Sequence, residues 1–300
     1  CDSDWSSDVC SSDLVAEARR ARRPWAVELA GDPARNLRHH GSLAGQCYAP
    51  VMAARTRRAV GAAPFALYVT SSYLQARYPN RSGRTCACSD VALPPPEWAA
   101  LARRLRRIRG RRGAPLHLGV IASLRARRCK GLDIALDALA QARDRLPPVR
   151  LHILGDGDPA PWRAALARRG LTGLVHLDAP RPPGAGVHAW LDGIDLYLQP
   201  SRSEGLPRAL LEAMSRGCPA LASRCGGIPE LLEPAALVPP GDAPALAEAL
   251  VAAAHDRDWQ AGQARRNWRT ATSYSAAVLA PVRERFWAEL ADAAREGRQR

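Results

Sequence analysis

An α/β fold with parallel, Rossmann-like sheets is predicted by three features of this 300-residue sequence. Residues 113–254 alternate between short apolar runs and helix-length segments, which is the βα rhythm of a parallel sheet. The apolar runs lack in–out alternation, as expected for strands covered on both faces. Glycine turns or polar residues follow several runs, and this carboxyl end of the strands is where such folds bind ligands. We therefore expect a complete, doubly wound C-terminal sheet within residues 113–273 and a partial N-terminal domain before it.

The N-terminal region, residues 15–112, carries fewer predicted strands than a whole Rossmann-like domain needs. Its predicted elements are a strand at Trp25–Ala30, a helix within Gly45–Val60, a strand at Phe65–Thr70, a short helix at Ser72–Tyr78, a weak strand at Arg84–Cys88 and a basic helix at Glu97–Arg109. We interpret residues 15–112 as the remnant of a larger domain, shortened by truncation at the 5′ end of the gene.

The C-terminal region continues the alternation with six strands and six helices. Predicted strands lie at Leu116–Ala122, Val149–Leu154, Leu174–Leu177, Ile194–Leu198, Pro219–Ser223 and Ala236–Val238. Predicted helices lie at Leu132–Arg145, Trp162–Arg169, Val187–Leu191, Arg208–Arg216, Pro229–Leu232 and Pro244–Ala254. Candidate binding residues follow several of these strand ends, which predicts that they lie along one rim of the sheet.

The two ends of the chain differ from its middle. Residues 1–14 contain four aspartates and five serines ahead of a chain rich in Arg and Ala, and they resemble translated sequencing-adapter read-through. We expect this segment to be an artefact without ordered structure. Residues 274–300 are predicted to be helical.

The charge of the chain favours anionic surroundings. Lys and Arg number 43 against 29 Asp and Glu, a net charge of +14, and leaving out the four aspartates of residues 1–14 makes it +18. Such a chain suits nucleic acid, phosphorylated substrates or anionic lipid. The densest run, Arg103–Arg112, has Leu101, Leu105 and Ile108 at helical spacing, which predicts either a helix lying on an anionic membrane or a solvated helix face. Aromatic side chains do not interleave with these arginines, so nucleic acid is not expected as a partner.

The cellular compartment is predicted from apolar runs and cysteines. The sequence has no uninterrupted run of 18 apolar residues, so we expect no transmembrane helix. Cys47, Cys129, Cys218 and Cys225 lie among apolar or glycine residues, as small buried side chains do in a reducing cytosol. The histidines and cysteines show no metal-ligand spacing. We expect a cytoplasmic protein, or one that lies peripherally on the inner face of the plasma membrane.

The stretch Ser201–Glu233 carries the clearest chemical signal. Glu204 and Glu212 are separated by seven residues, and Pro207 stands at the predicted first position of the helix Arg208–Arg216. Glu204 therefore precedes the helix, whereas Glu212 lies more than a turn inside it. A helix N-terminus binds anions, so an acid on each side of it suits a ligand with an anionic centre and hydroxyls, such as a sugar nucleotide.

A second signal is Lys130, the only lysine of the chain. It lies in C-K-G-L-D after the apolar run Leu116–Ala122, where a compact ammonium suits a phosphate group. The alternative is a solvated surface lysine. The turn Gly155-Asp156-Gly157 also follows a predicted strand, and it either lets backbone approach a nucleotide or is a plain turn.

These residues resemble the family 4 glycosyltransferases, which have two facing Rossmann-like domains, the GT-B architecture. The segment S-E-G-L-P-R-A-L-L-E-A-M matches the family's glutamate–seven–glutamate signature. C-K-G-L-D and L-H-I-L-G-D-G match its two upstream landmarks, and G-G-I-P-E-L-L and V-P-P-G-D follow at the usual distances. The resemblance covers about Ala114 to Ala254, and it depends on the correct order of all five motifs.

The resemblance implies a retaining hexosyltransferase that moves a sugar from a nucleotide-diphosphate donor to a polysaccharide or glycolipid acceptor. It implies no metal and no cofactor besides the donor. As catalytic residues, Glu204 would contact the donor sugar near the reacting carbon, and Lys130 would balance the diphosphate charge. Glu212 would hydrogen-bond the ribose hydroxyls, and the helical tail would return to the N-terminal domain. The remaining implied donor-binding residues are Arg128, Gly155, Asp156, Gly157, Gly205, Leu206, Pro207 and Arg208.

Two positions depart from the family pattern. Pro207 stands where the family often has Gly, which removes a backbone N–H near the donor, and Arg208 is the candidate to compensate. Ser123 stands where the family often has Arg. The candidates for that missing cation are Arg125, Arg127 and Arg128, and we favour Arg128.

Other functions stay open at this point. The short N-terminal region allows a non-catalytic donor-binding fragment without a working acceptor domain. A nucleotide-sugar epimerase of the same architecture would explain the fold but not the glutamate spacing. Nucleic-acid binding would depend on charge alone.

Overall fold

The computed structural model describes residues 15–39, 42–81, 83–125 and 128–296, and of Arg128 only the backbone. The predicted artefact at residues 1–14 lies outside the described residues. The described chain forms two parallel sheets, one of three strands and one of six, which confirms the predicted α/β class. No helix in the described ranges is long and apolar enough to cross a membrane.

A helical segment at residues 15–20 comes first, and the elements after it follow the predicted order with one further helix. They are β1 (Ala26–Leu29), α1 (Pro33–His39), α2 (Leu43–Gly61), β2 (Phe65–Tyr68), α3 (Tyr73–Arg77), β3 (Arg84–Ala87) and α4 (Trp98–Gly110). The additional helix is α1, whose start is marked by Asp32 and Pro33. The Asp32 carboxylate accepts a hydrogen bond from the Arg35 N–H at 3.1 Å, and proline suits the first position of a helix. This signal was overlooked because seven residues are too few for a helical apolar pattern.

The C-terminal elements reproduce every predicted strand and add one helix. They are β4 (Leu116–Ile121), α5 (Leu132–Ala142), β5 (Val149–Leu154), α6 (Ala160–Arg168), β6 (Val175–Asp178), α7 (Ala185–Asp192), β7 (Leu196–Gln199), α8 (Arg208–Ser215), β8 (Ala220–Ser223), α9 (Ile228–Leu231), β9 (Leu237–Val238), α10 (Ala243–His255), α11 (Arg257–Thr272) and α12 (Ala276–Glu296). Helix α11 was not predicted because polar side chains form part of its buried face, so it lacks an apolar stripe. The buried residues of α11 are Gln260, Gln263, Ala264, Asn267 and Ala271.

The six-stranded sheet has the order β6-β5-β4-β7-β8-β9, with all neighbours parallel. The chain runs outward from β4 to β6 and then returns to place β7 on the other side of β4. The loops after β4 and β7 therefore leave the sheet in opposite directions. This topological switch point is where open α/β sheets form their ligand crevice.

One apolar cluster spans the two sheets. It contains Leu29 and Tyr68 from the small sheet together with Tyr197 from the large sheet and Leu210 and Met214 from helix α8, all buried. The two sheets therefore share a core rather than meeting through a solvated surface.

Helix α12 packs against the three-stranded sheet. Phe286 is buried beside Leu67 of β2 and Cys88, which directly follows β3. Arg283 forms an ion pair with Glu28 of β1 at 2.6 Å. The remnant character of residues 15–112 and the origin of residues 1–14 stay predictions.

The apolar side of the basic helix α4 is not available to a membrane. Leu101 and Ile108 are buried against Ala264 of α11, and Leu105 and Trp268 pack beside them. The expectation that α4 lies on a membrane through this apolar side is therefore wrong. The sequence pattern could not show this because α11 itself had not been predicted.

Candidate functional site

Lys130 lies at the switch point, in the loop that follows β4. The turn Arg128–Lys130 ends at Gly131, which has φ +65° and faces the end of β7. A Cβ atom at Gly131 would lie 1.9 Å from the Pro200 carbonyl oxygen, so glycine is required for the two loops to meet.

Glu204 lies in the loop after β7 and forms an ion pair with Lys130. The Lys130 Nζ atom donates to Glu204 Oε1 at 2.8 Å and to Oε2 at 3.0 Å. Glu204 keeps only 8 % of its side-chain surface exposed, whereas Lys130 keeps 41 %. The structure therefore joins the two predicted catalytic residues, with the Lys130 side chain partly exposed and the Glu204 side chain buried.

Buried polar side chains fix the position of the Glu204 carboxylate. Glu204 Oε1 also accepts hydrogen bonds from Gln199 Nε2 at 2.9 Å and from Ser201 Oγ at 2.7 Å. Tyr197 donates to the Gln199 amide oxygen at 2.9 Å, which turns the amide nitrogen toward Glu204. Sequence reasoning missed these three residues, although Gln199 ends β7 and Ser201 lies two residues beyond it, where side chains reach the rim.

The two glutamates of the signature lie near the same buried hydroxyl. Burial raises the pKa of Tyr197, and the negative charges of Glu204 and Glu212 raise that pKa further. Among the described residues, no side chain donates a hydrogen bond to the Glu212 carboxylate. Burial raises the pKa of Glu212, and the nearby Arg208 guanidinium opposes this in part. An ionised, half-buried carboxylate that accepts no side-chain hydrogen bond lowers the stability of the folded state, and such groups are typical of ligand-binding sites.

Helix α8 begins at Arg208, as its predicted range does, so Pro207 lies one residue before the first helical position. Pro207 is the N-cap residue, with an extended backbone at φ −74° and ψ 114°, and Arg208 is the first helical residue. The prediction that Pro207 occupies the first helical position is therefore wrong by one residue. Arg208 is exposed, whereas Leu206 is buried in the core shared by the two sheets.

Three glycines allow the Glu204 loop to contact its neighbours closely. A Cβ atom at Gly205 would lie 2.0 Å from the Ala30 carbonyl oxygen, at the carboxyl end of β1. Gly226 has φ +57°, and its Cβ would lie 2.1 Å from the Glu204 carbonyl oxygen. The Gly227 N–H donates to the Gly205 carbonyl at 2.7 Å. The carboxyl ends of both sheets therefore converge on this loop.

The turn Gly155–Gly157 contacts the neighbouring loop after β4. A Cβ atom at Gly155 would lie 1.9 Å from the Ala122 carbonyl oxygen, and the Leu124 N–H donates to the Asp156 carbonyl at 2.6 Å. Asp156 is exposed, and a hydrogen bond from Ser123 together with the Arg125 charge lowers its pKa. These glycines are needed for contact between loops. Arg127 and the Arg128 side chain, both considered for the missing cation, lie outside the described residues.

A third carboxylate of the motif region, Glu230 of helix α9, contacts the start of α3. It accepts hydrogen bonds from the N–H groups of Ser71, Ser72 and Tyr73 at 2.6, 3.0 and 2.9 Å, and from the Ser72 hydroxyl at 2.9 Å. These donors lie at the start of α3, after β2. The sequence signal was present in G-G-I-P-E, but its partners are more than 150 residues away and only the fold identifies them.

The described part of the chain offers no group of three His, Cys, Asp or Glu side chains arranged to bind a metal ion. A cationic group at the switch point is the Lys130 ammonium. It has three N–H donors, so it can hold Glu204 and an anionic ligand together.

Comparison with known proteins finds similar sequences. Residues 115–256 match the family described as Glycosyl transferases group 1. Protein CapJ of Staphylococcus aureus is 26 % identical over 209 residues, covering 70 % of this chain and 51 % of CapJ. The putative colanic acid biosynthesis glycosyltransferase WcaL of Escherichia coli is 36 % identical over 148 residues, covering 45 % of this chain and 36 % of WcaL. The chain thus spans about half or less of the length of these relatives.

Solved structures share the fold across both sheets. Sucrose-phosphate synthase from Thermosynechococcus elongatus superposes with a TM-score of 0.75 at 19 % identity, covering 93 % of this chain and 71 % of that one. HepE of Anabaena, in complex with UDP-glucose, superposes with a TM-score of 0.66 at 22 % identity, covering 92 % of this chain and 74 % of that one. Residues 115–256 of this chain are therefore a Glycosyl transferases group 1 domain, in a chain with the GT-B glycosyltransferase fold.

Proposed function

We propose that this chain carries the donor site of a retaining glycosyltransferase that moves a sugar from a nucleotide-diphosphate donor to a polysaccharide or glycolipid acceptor. The observation that carries the proposal is the ion pair between Lys130 and buried Glu204 at the switch point of a group 1 domain. The relatives named for polysaccharide assembly and the neighbour bound to UDP-glucose support the substrate classes.

Each site residue has a task in this proposal. The Glu212 carboxylate, which lacks a partner in the described protein, accepts hydrogen bonds from the ribose hydroxyls. The loop Glu204–Arg208 and the turn Gly155–Gly157 border the donor. A nucleotide replaces the water that Glu212 must otherwise retain, so binding offsets the desolvation that raises the pKa of this group.

Lys130 acts on the leaving group. When the bond between the sugar carbon and the diphosphate oxygen breaks, negative charge grows on the diphosphate. A preorganised ammonium stabilises this charge without needing to reorient, typically by several kcal/mol. Glu204, held by three donors, is positioned to contact the donor sugar near the reacting carbon.

Calorimetric titration with UDP tests the donor site. Glu212→Ala should weaken UDP binding by roughly 10- to 100-fold, the value of one or two charge-assisted hydrogen bonds. Glu284→Ala is the control, because Glu284 is exposed on α12 and has no ion pair in the described structure. Equal affinity of the wild type and Glu212→Ala would refute the ribose assignment.

A second candidate is a donor-binding fragment without turnover. The chain covers 51 % of the first of these relatives and 36 % of the second. Both functions predict UDP binding, but only the first predicts transfer of labelled sugar to an acceptor. Isomerised donor without transfer would instead indicate an epimerase.

A further inference from the structure

A groove between α4 and α11 differs in chemistry from the switch point. Its volume is about 470 Å³, and its walls include Arg109 of α4 with Arg257 and Arg265 of α11. Ile108 and Ala261 also line it, and the acid that lines it is Asp258. We propose that this groove and the adjoining helix surface bind the phosphate head groups of an anionic lipid bilayer. This inference does not depend on the proposed donor site.

The three arginines of the groove are free to bind an external anion. In the described structure none of them lies within 4.0 Å of an acidic side chain. Arg257 donates to the Arg111 carbonyl, and Arg265 donates to the Ala261 carbonyl at 3.1 Å, so backbone contacts orient them without neutralising their charge. Three uncompensated guanidinium groups beside a single carboxylate produce a local positive potential, which complements a surface of phosphates.

An aromatic pair lies at the other end of the same two helices. Trp98 of α4 meets Trp268 of α11 edge to face, with ring centroids 5.7 Å apart. Trp98 remains 66 % exposed, and the Trp268 indole donates to the Glu97 carbonyl at 3.3 Å. An exposed Trp is costly in water but favoured at the boundary between head groups and acyl chains.

Helical spacing places the aromatic pair and the arginines of the groove along the same edge of each helix. Positions 98, 102, 105 and 109 repeat at intervals of three and four residues along α4, so Trp98 and Arg109 lie on the same edge of the helix. The facing edge of α11 carries positions 257, 261, 265 and 268 in the same way. Aromatic and arginine side chains along one edge fit an interfacial surface better than a closed pocket for a soluble phosphate.

Co-sedimentation with vesicles tests the proposal. The wild-type chain should bind vesicles of phosphatidylcholine with 30 mol % phosphatidylglycerol and should not bind pure phosphatidylcholine. The variant Arg109→Gln/Arg257→Gln/Arg265→Gln should reduce the partition coefficient on the order of 100-fold, because each basic residue near an anionic surface contributes about 1 kcal/mol. Binding by the wild type should fall as salt rises. Trp98→Ala should reduce binding at every salt concentration, because its contribution is not electrostatic.

A matched control separates local from total charge. The control variant removes the same charge from three other exposed arginines, Arg150, Arg163 and Arg168. This control variant should bind vesicles as the wild type does, apart from a small loss that reflects its lower net charge. Circular dichroism of both triple variants checks that the fold is kept.

Three results would overturn the proposal. Equal losses in the two triple variants would show a general charge effect. Binding to neutral vesicles as strong as to anionic ones would remove the role of the arginines. Competition by millimolar inorganic phosphate would assign the groove to a free phosphate instead of a bilayer.

Discussion

The ion pair between Lys130 and Glu204 should be energetically coupled, and a double-mutant cycle can measure this. Lys130→Met leaves the Glu204 carboxylate 8 % exposed and held only by the Gln199 and Ser201 donors. Glu204→Gln leaves a lysine whose side chain is 41 % exposed and can be hydrated. Exposed pairs contribute about 0.2–1 kcal/mol, and removing one partner of a buried pair costs about 3–5 kcal/mol. For this half-buried pair we expect a coupling of about 1–2 kcal/mol.

Urea unfolding of the wild type, both single variants and the double variant gives the coupling free energy. The pair Arg145–Glu248 is the geometric control, since it has contacts of 2.8 and 2.9 Å but lies on the surface. Its coupling should be smaller. Additive losses at Lys130 and Glu204 would refute the argument that burial of Glu204 strengthens the pair.

The same lysine should affect turnover more than donor binding. In a sugar-transfer assay, Lys130→Ala should lower the catalytic rate by roughly two to three orders of magnitude, as loss of one oxyanion donor does. Lys130→Arg should restore only part of the rate, because a planar guanidinium does not reproduce a compact ammonium. A fully active Lys130→Ala protein would remove Lys130 from the reaction.

Three further perturbations test the surroundings of the site. Burial raises the pKa of Glu212 in the folded state, so ionisation of this group opposes folding increasingly as pH rises above about 4.3, the ordinary value. The free energy of unfolding of Glu212→Gln, measured by urea titration, should therefore rise relative to that of the wild type between pH 4 and pH 7. An equal difference at both pH values would contradict this. Gly226→Ala should lower the free energy of unfolding by more than Gly241→Ala, because both have positive φ but only Gly226 has a backbone atom, the Glu204 carbonyl oxygen, in the way of a Cβ; equal losses would exclude the steric cause. Glu230→Ala should accelerate amide exchange at the start of α3 and cost about 1 kcal/mol, in the range of a lost helix cap, whereas unchanged exchange would show that this contact does not order the helix.

The sequence alone determined the fold class and the positions of the chemistry. Apolar runs without alternation predicted the strands of the six-stranded sheet, and the ordered motifs located Lys130 and Glu204 at strand ends. These are local properties: hydrophobic periodicity and turn residues act within a few positions of the chain. Lys130 indicated a functional position because every other basic residue among the 43 Lys and Arg is an arginine.

Tertiary structure decided which residues meet. Nothing in the sequence pairs Lys130 with Glu204, 74 positions away, or directs Gln199 and Ser201 at the same oxygen, because strand order sets those contacts. Helix α11 escaped prediction since polar residues form part of its buried face, and it is α11 that covers the apolar side of α4. The local sequence pattern therefore predicts the secondary structure of each segment. Packing determines which surfaces stay exposed to ligands, because burial depends on neighbours that are distant in the chain.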